Sequence, residues 1–178
     1  MSDFEVVACR AKFILVVEKE AYYSSLVEDE INKKVDCILI IGHGMPDMAT
    51  RYFLQHLTKQ VNIPVFGLVD CDPFWVSILC TYTCGSENSV FDCDNLVTPG
   101  IKWLGVRPSD LDKYVLMSDP FDESKILERL MKKDFLNDKA SWMEELEKKS
   151  KEMRRCDLVL LNCETVLQKV LRRIGWVW

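Results

Sequence analysis

The sequence predicts an α/β fold, a doubly wound and mostly parallel four-stranded sheet with flanking helices and a helical C-terminal cap. Apolar runs alternate along the chain with segments of helical periodicity, an order typical of parallel strands joined by right-handed crossovers. The 178 residues, 48% of them hydrophobic, suit one domain of ordinary size with a full core. Two of the apolar runs end directly on carboxylates.

Four apolar segments are the predicted strands. The first three are uninterrupted runs, as expected for parallel strands that helices cover on both faces. The four segments are residues 13–17, 37–41, 65–69 and 101–104. A further short strand at residues 4–8 is expected at an edge of the sheet.

The segments between the strands predict three helices, because their apolar positions recur at helical spacing. They cover residues 20–33, 47–60 and 73–83. Pro46 and Asp47 form a start signal for the second helix. Pro73, directly after Asp72, suits the first turn of the third.

Two stretches rich in Gly, Pro, Ser and Asn are predicted to be irregular. They are residues 85–100 and residues 105–121, and the second contains a short turn at residues 109–113.

The composition changes after residue 121. Residues 123–155 are rich in Lys and Glu, which predicts helices with a solvated charged face, and residues 157–174 predict a more apolar helix. We therefore expect an α/β domain at residues 1–121 and a helical C-terminal extension at residues 122–178 packed on it.

Composition also narrows the class of protein. No apolar run approaches the roughly 20 residues that span a bilayer, and the start lacks the features of a signal peptide. A soluble intracellular protein is therefore expected. The formal net charge of −5 is not the basic footprint typical of a nucleic-acid binder, which argues against DNA binding unless basic residues cluster locally.

Eight cysteines raise the question of disulfides or zinc. The chain has no Cys-x-x-Cys pair and only two histidines, His43 and His56, so the spacing of a structural zinc site is missing. Several cysteines lie in apolar or helical segments, where a thiol acts as a small hydrophobe. These are Cys37, Cys71, Cys80 and Cys156. Free thiols suit a reducing cytosol or nucleus.

Carboxylates follow the first and third predicted strands. Glu18 ends the first strand, and Asp70 and Asp72 follow the third with one residue between them. Ligands of open α/β sheets bind just beyond the carboxyl ends of the strands, so the three acids are expected to converge if these strands are neighbours. Clustered carboxylates repel one another unless a cation or proton intervenes. A Mg²⁺ site, with Mn²⁺ as an alternative ion, accounts for them most simply.

A second interpretation of the same acids is structural. Asp72 immediately before Pro73 suits a helix N-cap, and acidic residues at strand ends commonly cap the next helix. Spacing alone leaves both interpretations open. In the metal interpretation, Glu18 is either a metal ligand or an acid/base group.

An ordered series of motifs resembles a known family. The motifs are Val16-Val-Glu-Lys-Glu20, Ile40-Ile-Gly-His-Gly-Met-Pro-Asp-Met-Ala-Thr-Arg-Tyr-Phe-Leu54, Pro64-Val-Phe-Gly-Leu-Val-Asp-Cys-Asp-Pro-Phe74, Thr81-Tyr-Thr-Cys-Gly-Ser86 and Ile101-Lys-Trp-Leu-Gly-Val-Arg-Pro-Ser-Asp-Leu111. Together they resemble the Toprim domain of the A-type subunits of topoisomerase VI and of their meiotic double-strand-break relatives, the Spo-eleven family, including plant members. The resemblance runs from about residue 12 to about residue 114 and is weaker beyond residue 122.

The resemblance implies a Toprim-type fold and a role for each acid. Glu18, Asp70 and Asp72 match the acid triad of the family, which binds Mg²⁺ beside the scissile phosphodiester. The family's nucleophile is a tyrosine in an upstream winged-helix domain, and we expect this chain to lack it. Tyr22 and Tyr23 lack the context of that motif and are expected to pack in or on the fold.

The resemblance also implies partners and a compartment. Relatives act on double-stranded DNA as dimers, whether homodimers or paralogue heterodimers, and work with an ATPase B-type subunit. A nuclear, chromosomal protein of meiotic recombination is therefore expected. By itself the chain is expected to bind metal and DNA without cleaving it, because a metal does not replace the nucleophile.

Three basic residues are candidates for DNA contact. Lys19 adjoins Glu18, His43 takes a position that is basic in the family's Gly-Lys/Arg-Gly motif, and Arg107 follows the fourth strand. Arg51 lies four residues after Asp47, which favours an ion pair along a helix over ligand binding.

Two other classes of function remain open from the residues. The Asp70-x-Asp72 pair is also compatible with a Mg²⁺-dependent phosphotransfer or phosphatase domain, although its place on the third strand fits such folds poorly. The other alternative is a non-catalytic scaffold that binds a partner through its helical cap.

Overall fold

The structure is a computed structural model of the 178-residue chain. It describes residues 4–85, 96–113, 119–120, 124–152 and 154–155, and the single residues 168, 171, 172 and 175. Most of the predicted helix at 157–174 and most of the predicted loop at 85–100 lie outside the described residues.

The main sheet has four strands, all parallel, in the order β2-β1-β3-β4. The strands are β1 (Phe13–Val17), β2 (Cys37–Ile41), β3 (Val65–Leu68) and β4 (Lys102–Gly105). The predicted fold class is confirmed, and the strands lie within one residue of the predicted bounds. Only the edge strand predicted at residues 4–8 is wrong, since this segment forms no strand.

The register of the sheet centres on β1. Phe13 pairs with Cys37 and Val17 with Ile41, and all five residues of β1 are fully buried. Side chains on both faces of β1 are therefore shielded from water, which explains why its sequence is continuously apolar rather than alternating.

The N-terminal segment is held by side chains instead of a sheet ladder. The N–H of Val6 donates to Gln60 Oε1 at 2.8 Å, and Gln60 Nε2 donates to the Phe4 carbonyl at 2.9 Å. The Phe4 ring stacks on Phe53 with the ring centroids 5.0 Å apart. Because Gln60 satisfies these backbone groups, the segment is fixed without strand pairing.

The first predicted helix, residues 20–33, is divided into α1 (Glu20–Glu28) and α2 (Ile31–Lys34). The division falls at Glu30, whose φ of 52° lies in the left-handed region and ends the helical path. Tyr22 and Leu26 are the buried residues of α1.

The next two helices match their predictions closely. These are α3 (Met48–Val61) and α4 (Pro73–Cys84). Asp47 caps α3, since its Oδ1 accepts a hydrogen bond of 2.7 Å from the N–H of Thr50. Pro73 occupies the first position of α4, where its missing N–H costs nothing.

The C-terminal part is more segmented than the sequence predicted. It contains α5 (Pro108–Lys113) in place of a turn, α6 (Ser124–Met131), a 3₁₀ helix (Asp134–Asp138) and α7 (Ala140–Glu152). Two short strands, β5 (Asp119–Pro120) and β6 (Arg154–Arg155), pair antiparallel. On α7 the predicted solvated face is wrong in one respect, because Lys149 is buried.

The chain forms two compact units. The first comprises Met1–Gly67 and Ile78–Lys102, and the second comprises Leu68–Ser77 and Trp103–Val177. Within the second unit, the Trp142 ring of α7 meets the Trp103 ring of β4 edge to face, and Ser109 of α5 bonds Glu145 through its N–H and hydroxyl. The predicted domain boundary at residue 121 stays a prediction.

The described cysteines form no disulfide: Cys9, Cys37, Cys71, Cys80 and Cys84. Cys37, Cys71 and Cys80 are buried, as expected of small hydrophobes, while Cys156 lies outside the described residues. Among the described helices, none is long and apolar enough to cross a membrane.

Candidate functional site

Glu18 lies directly after β1 in the first unit and is only 2% exposed. Its Oε2 accepts a hydrogen bond of 3.1 Å from the N–H of Gly44. Its Oε1 is buried without a hydrogen-bond partner in the structure. A buried carboxylate oxygen with no donor is costly unless a proton or a cation binds it.

The surroundings of Glu18 determine its protonation. Burial raises the pKa of the carboxyl from 4.5 to about 7, while the Tyr82 hydroxyl and the Gly44 N–H act in the opposite direction. The Tyr82 side chain is 1% exposed, and its hydroxyl has no aligned hydrogen-bond partner although it lies near the carboxyl. The Tyr82 hydroxyl and the Glu18 carboxyl are thus close enough to interact electrostatically, without an aligned hydrogen bond between them.

Gly42 makes this close approach feasible. A Cβ at residue 42 would overlap both carboxylate oxygens of Glu18 and the Tyr82 hydroxyl. The Glu18 carboxyl and the Tyr82 hydroxyl thus lie close to the backbone of Gly42, where only a glycine leaves room for both.

The turn after β2 wraps around Glu18. The N–H of Gly44 reaches both the main-chain carbonyl of Glu18, at 3.2 Å, and its side chain. His43 and Gly44 have φ values of 54° and 90°, so two successive residues are left-handed. The backbone therefore reverses tightly after β2. The Thr50 N–H is the main cause that lowers the pKa of Asp47, and the exposed His43 side chain adds to it.

The Asp70-Cys71-Asp72 turn belongs to the second unit. Asp70 is 6% exposed, and the N–H of Asp72 donates to the Asp70 carbonyl at 2.9 Å. Asp72 Oδ1 accepts a 2.7 Å hydrogen bond from the N–H of Phe74, the second residue of α4. The interpretation of Asp72 as an N-cap is therefore confirmed.

Lys149 borders this turn, and it was not among the residues predicted from the sequence. It is 4% exposed, and its Nζ donates to the Cys71 carbonyl at 3.2 Å. Trp142, Leu146 and Lys149 follow the spacing i, i+4, i+7, so the lysine occupies the inward stripe of α7. That spacing was the available signal, and the high Lys and Glu content of the helix concealed it.

Taken separately, the Glu18 oxygen without a donor and the two carboxylates of the turn are oxygen ligands of the kind that a hard divalent cation takes. In the described ranges, however, no three His, Cys, Asp or Glu side chains lie close enough together to hold a metal ion as they stand. The convergence of Glu18, Asp70 and Asp72 on one ion stays a prediction.

The predicted DNA-contact residues have different surroundings. Lys19 precedes α1 in extended backbone and is half-buried. The Arg107 guanidinium lies over the Trp103 ring, 5.9 Å from its centroid, and donates to the Trp103 carbonyl. Their DNA contacts stay predictions.

Arg51 of α3 is buried, and its ion pair with Asp47 stays a prediction. Its Nε donates to the Leu96 carbonyl at 3.1 Å. Burial raises the pKa of the Tyr82 hydroxyl, and the Arg51 guanidinium acts in the opposite direction. The N–H of Thr98 donates to the Tyr82 carbonyl, so this arginine and α4 both hold residues 96–98.

A comparison with protein families matches most of the chain. The matching family is described as the Toprim domain of the A subunit of topoisomerase 6 and of Spo11, and the match covers residues 13–170.

Individual relatives agree with this match. The A3 subunit of DNA topoisomerase 6 from Oryza sativa subsp. indica is 42% identical over 94% of this chain and 40% of its own length. The A subunit of DNA topoisomerase 6 from Arabidopsis thaliana is 41% identical over 85% of this chain and 37% of its own. "Meiotic recombination protein SPO11" of Mus musculus is 34% identical over 94% of this chain and 46% of its own. The chain thus spans less than half the length of these relatives.

Proposed function

Because the chain belongs to the topoisomerase 6A/Spo11 family, whose Toprim domain it matches, we propose that it is the Mg²⁺-binding part of a DNA-cleaving transesterase. The reaction would make the double-strand breaks that begin meiotic recombination. The meiotic part of this proposal comes from the relatives that are named meiotic recombination proteins. The plant relatives that are named DNA topoisomerase subunits support the strand-cleaving part.

The buried Glu18 carboxylate is the observation that carries the proposal. A structural acid would have its oxygens satisfied, whereas Glu18 has one oxygen on the Gly44 N–H and one oxygen without a donor. Its position after a central strand is where ligands of α/β sheets bind. A carboxylate held in this way is preorganised for a cation.

We infer that Glu18, Asp70 and Asp72 hold the ion, with Mg²⁺ as the natural metal and Mn²⁺ as a substitute. Toprim domains generally bind Mg²⁺, and β1 and β3, which precede these acids, are neighbours in the strand order. When bound, the ion would neutralise charge on the scissile phosphodiester and orient it. Glu18 is the alternative acid/base group toward the leaving oxygen.

The remaining parts of the reaction lie outside these residues. The nucleophile would be a tyrosine outside residues 13–170, the part that matches the family's Toprim domain. Tyr22 is fully buried in α1, which suits packing. The proposed assembly is a homodimer or paralogue heterodimer on double-stranded DNA with a B-type ATPase subunit, in the nucleus. Lys19, His43 and Arg107 are the proposed contacts to the DNA backbone.

A non-catalytic scaffold is the second candidate function, and one observation favours it. Asp72 has a structural role as the N-cap of α4, so part of the acidic motif is explained without a metal. The phosphotransfer alternative has no comparable support, because the family match covers residues 13–170.

Calorimetry with the full 178-residue chain tests the proposal. Mg²⁺ or Mn²⁺ is titrated into the wild type, Asp70→Asn and Glu18→Gln. We expect saturable binding to the wild type and its loss in both variants. Equal heats in all three proteins would contradict a metal site formed by these residues. Metal-dependent binding of duplex DNA would then favour the DNA enzyme over the scaffold. A covalent link between this chain and a 5′ end of DNA would contradict the proposal that the nucleophile lies elsewhere.

A further inference from the structure

Lys149 is unusual among the lysines of the described residues because it is buried. Lysine is almost never fully buried without a partner, since removing an ammonium group from water is expensive. Lys149 is 4% exposed, whereas its neighbour Lys151 on α7 is exposed. Burial of this charge therefore needs compensation from the groups that surround it.

The compensation lies at the acidic turn. Lys149 Nζ donates to the main-chain carbonyl of Cys71, the residue between Asp70 and Asp72. The ammonium therefore lies against the middle residue of the turn that carries both carboxylates. Asp70 is itself buried, and a buried carboxylate is stabilised by a nearby positive charge.

We propose that Lys149 is a resident counter-ion of the Asp70-Cys71-Asp72 turn and that its charge opposes the binding of a divalent metal there. The inference rests on the proposed function for its metal-binding half alone. The ammonium partly neutralises the acids when no metal is present. It then repels the incoming ion, because a charge at a buried site is only partly screened. Lys149 is thus a positioning residue that tunes affinity without being a ligand.

A merely structural lysine predicts the opposite outcome. If Nζ served only to hold the Cys71 carbonyl, its removal would loosen the turn and weaken metal binding. If its charge opposes the metal, removal strengthens binding. The sign of the change in affinity therefore distinguishes the two roles.

The first experiment measures Mn²⁺ and Mg²⁺ affinity of the full 178-residue chain. Lys149→Met, which keeps the length and apolar stem, is expected to bind Mn²⁺ about tenfold more tightly than the wild type. Lys149→Arg, which keeps the charge, is expected to restore the weaker affinity. Lys151→Met removes the same charge from an exposed position of α7 and is expected to leave the affinity within about twofold. Unchanged or weaker Mn²⁺ binding by Lys149→Met would overturn the proposal that the Lys149 charge opposes metal binding.

The second experiment does not depend on metal binding. A double-mutant cycle with Lys149→Met and Asp70→Asn is measured by urea unfolding in EDTA. The counter-ion role predicts that the two substitutions are strongly coupled, because each removes the partner of the other. Additive effects would overturn that role. If no variant binds metal while the cycle shows coupling, the proposed function fails and the counter-ion role stands.

Discussion

At the scale of single residues, Glu18 is held in an environment that disfavours its charge. The carboxyl is buried next to the Tyr82 hydroxyl, and one N–H, from Gly44, stabilises its charge through Oε2. Without a cation, the folded protein therefore favours the protonated form at mildly acidic pH. A divalent ion would reverse this preference by replacing the proton.

Stability should report this preference directly. Burial raises the pKa of Glu18 to about 7 in the folded protein from 4.5, so the neutral carboxyl stabilises the fold fully below about pH 4.5. That stability is lost as the pH rises through about 7. Relative to Glu18→Gln, which stays neutral, the wild type should lose roughly 2–4 kcal/mol of unfolding free energy over this range.

Urea unfolding in EDTA at several pH values between 4.5 and 8 measures this difference. Glu28→Gln, an exposed carboxylate of α1, is the matched control and should run parallel to the wild type. Saturating Mg²⁺ should flatten the wild-type curve. A constant difference between wild type and Glu18→Gln across the range would show that Glu18 ionises normally.

Gly42 is the second residue for which the structure makes a sharp prediction. In Gly42→Ala, the new methyl group would overlap the Glu18 carboxylate and the Tyr82 hydroxyl, so we expect a loss of about 1–3 kcal/mol in unfolding free energy. Gly100→Ala is the control, because a Cβ there meets no atom within 4 Å and should change stability by less than about 0.5 kcal/mol. Equal stabilities by chemical denaturation would show that the site is looser than described.

The candidate site could be predicted only in part from the sequence. The position of Glu18 after an apolar run was visible, since strand ends are local features. Its contact with Tyr82 was not, because 64 residues separate them and only the folded topology brings α4 beside β1. The burial of Lys149 was also hard to predict. A lysine at an inward position of a Lys-rich helix looks, in the sequence, like one more exposed lysine.

At the scale of elements, strand positions followed from burial and helix ends from local chemistry. A strand covered on both faces must be apolar throughout, so the bounds of the fully buried β1 coincide with its apolar run. The break between α1 and α2 was missed because Glu30 adopts a left-handed conformation usually filled by Gly or Asn. The strand predicted at residues 4–8 failed because Gln60, far along the chain, satisfies its backbone.

The two aspartate caps allow a matched test of Asp72. Both aspartates accept a backbone hydrogen bond at a helix start, Asp47 from the third residue of α3 and Asp72 from the second residue of α4. Replacement of either by Ala should cost about 1 kcal/mol of stability, and replacement by Asn should cost much less, because Asn also caps helices. If Asp72 also binds metal, Asp72→Asn should lose Mn²⁺ affinity while Asp47→Asn retains it. Unaltered Mn²⁺ binding by Asp72→Asn would reduce Asp72 to a cap.

At the scale of the whole molecule, electrostatics limit how this chain can hold DNA. Its net charge is −5, so general attraction to the phosphate backbone is weak or repulsive. Binding must then come from a few local cations and from the proposed metal. The proposed mode of DNA binding therefore differs from that of proteins with a broad basic face.

The salt dependence of DNA binding tests this limit. Each neutralised phosphate contributes about 0.9 to the slope of log affinity against log salt, so contacts from Lys19, His43 and Arg107 predict a slope of no more than about 3. Fluorescence anisotropy with a labelled duplex, in Mg²⁺ and in EDTA, measures it. Lys19→Gln should lower the slope by nearly one, whereas Lys33→Gln, whose ammonium already pairs with Glu30, should not. A slope of six or more would indicate a broad basic surface. Equal affinity in Mg²⁺ and in EDTA would show that the proposed ion contributes nothing measurable to the complex with DNA.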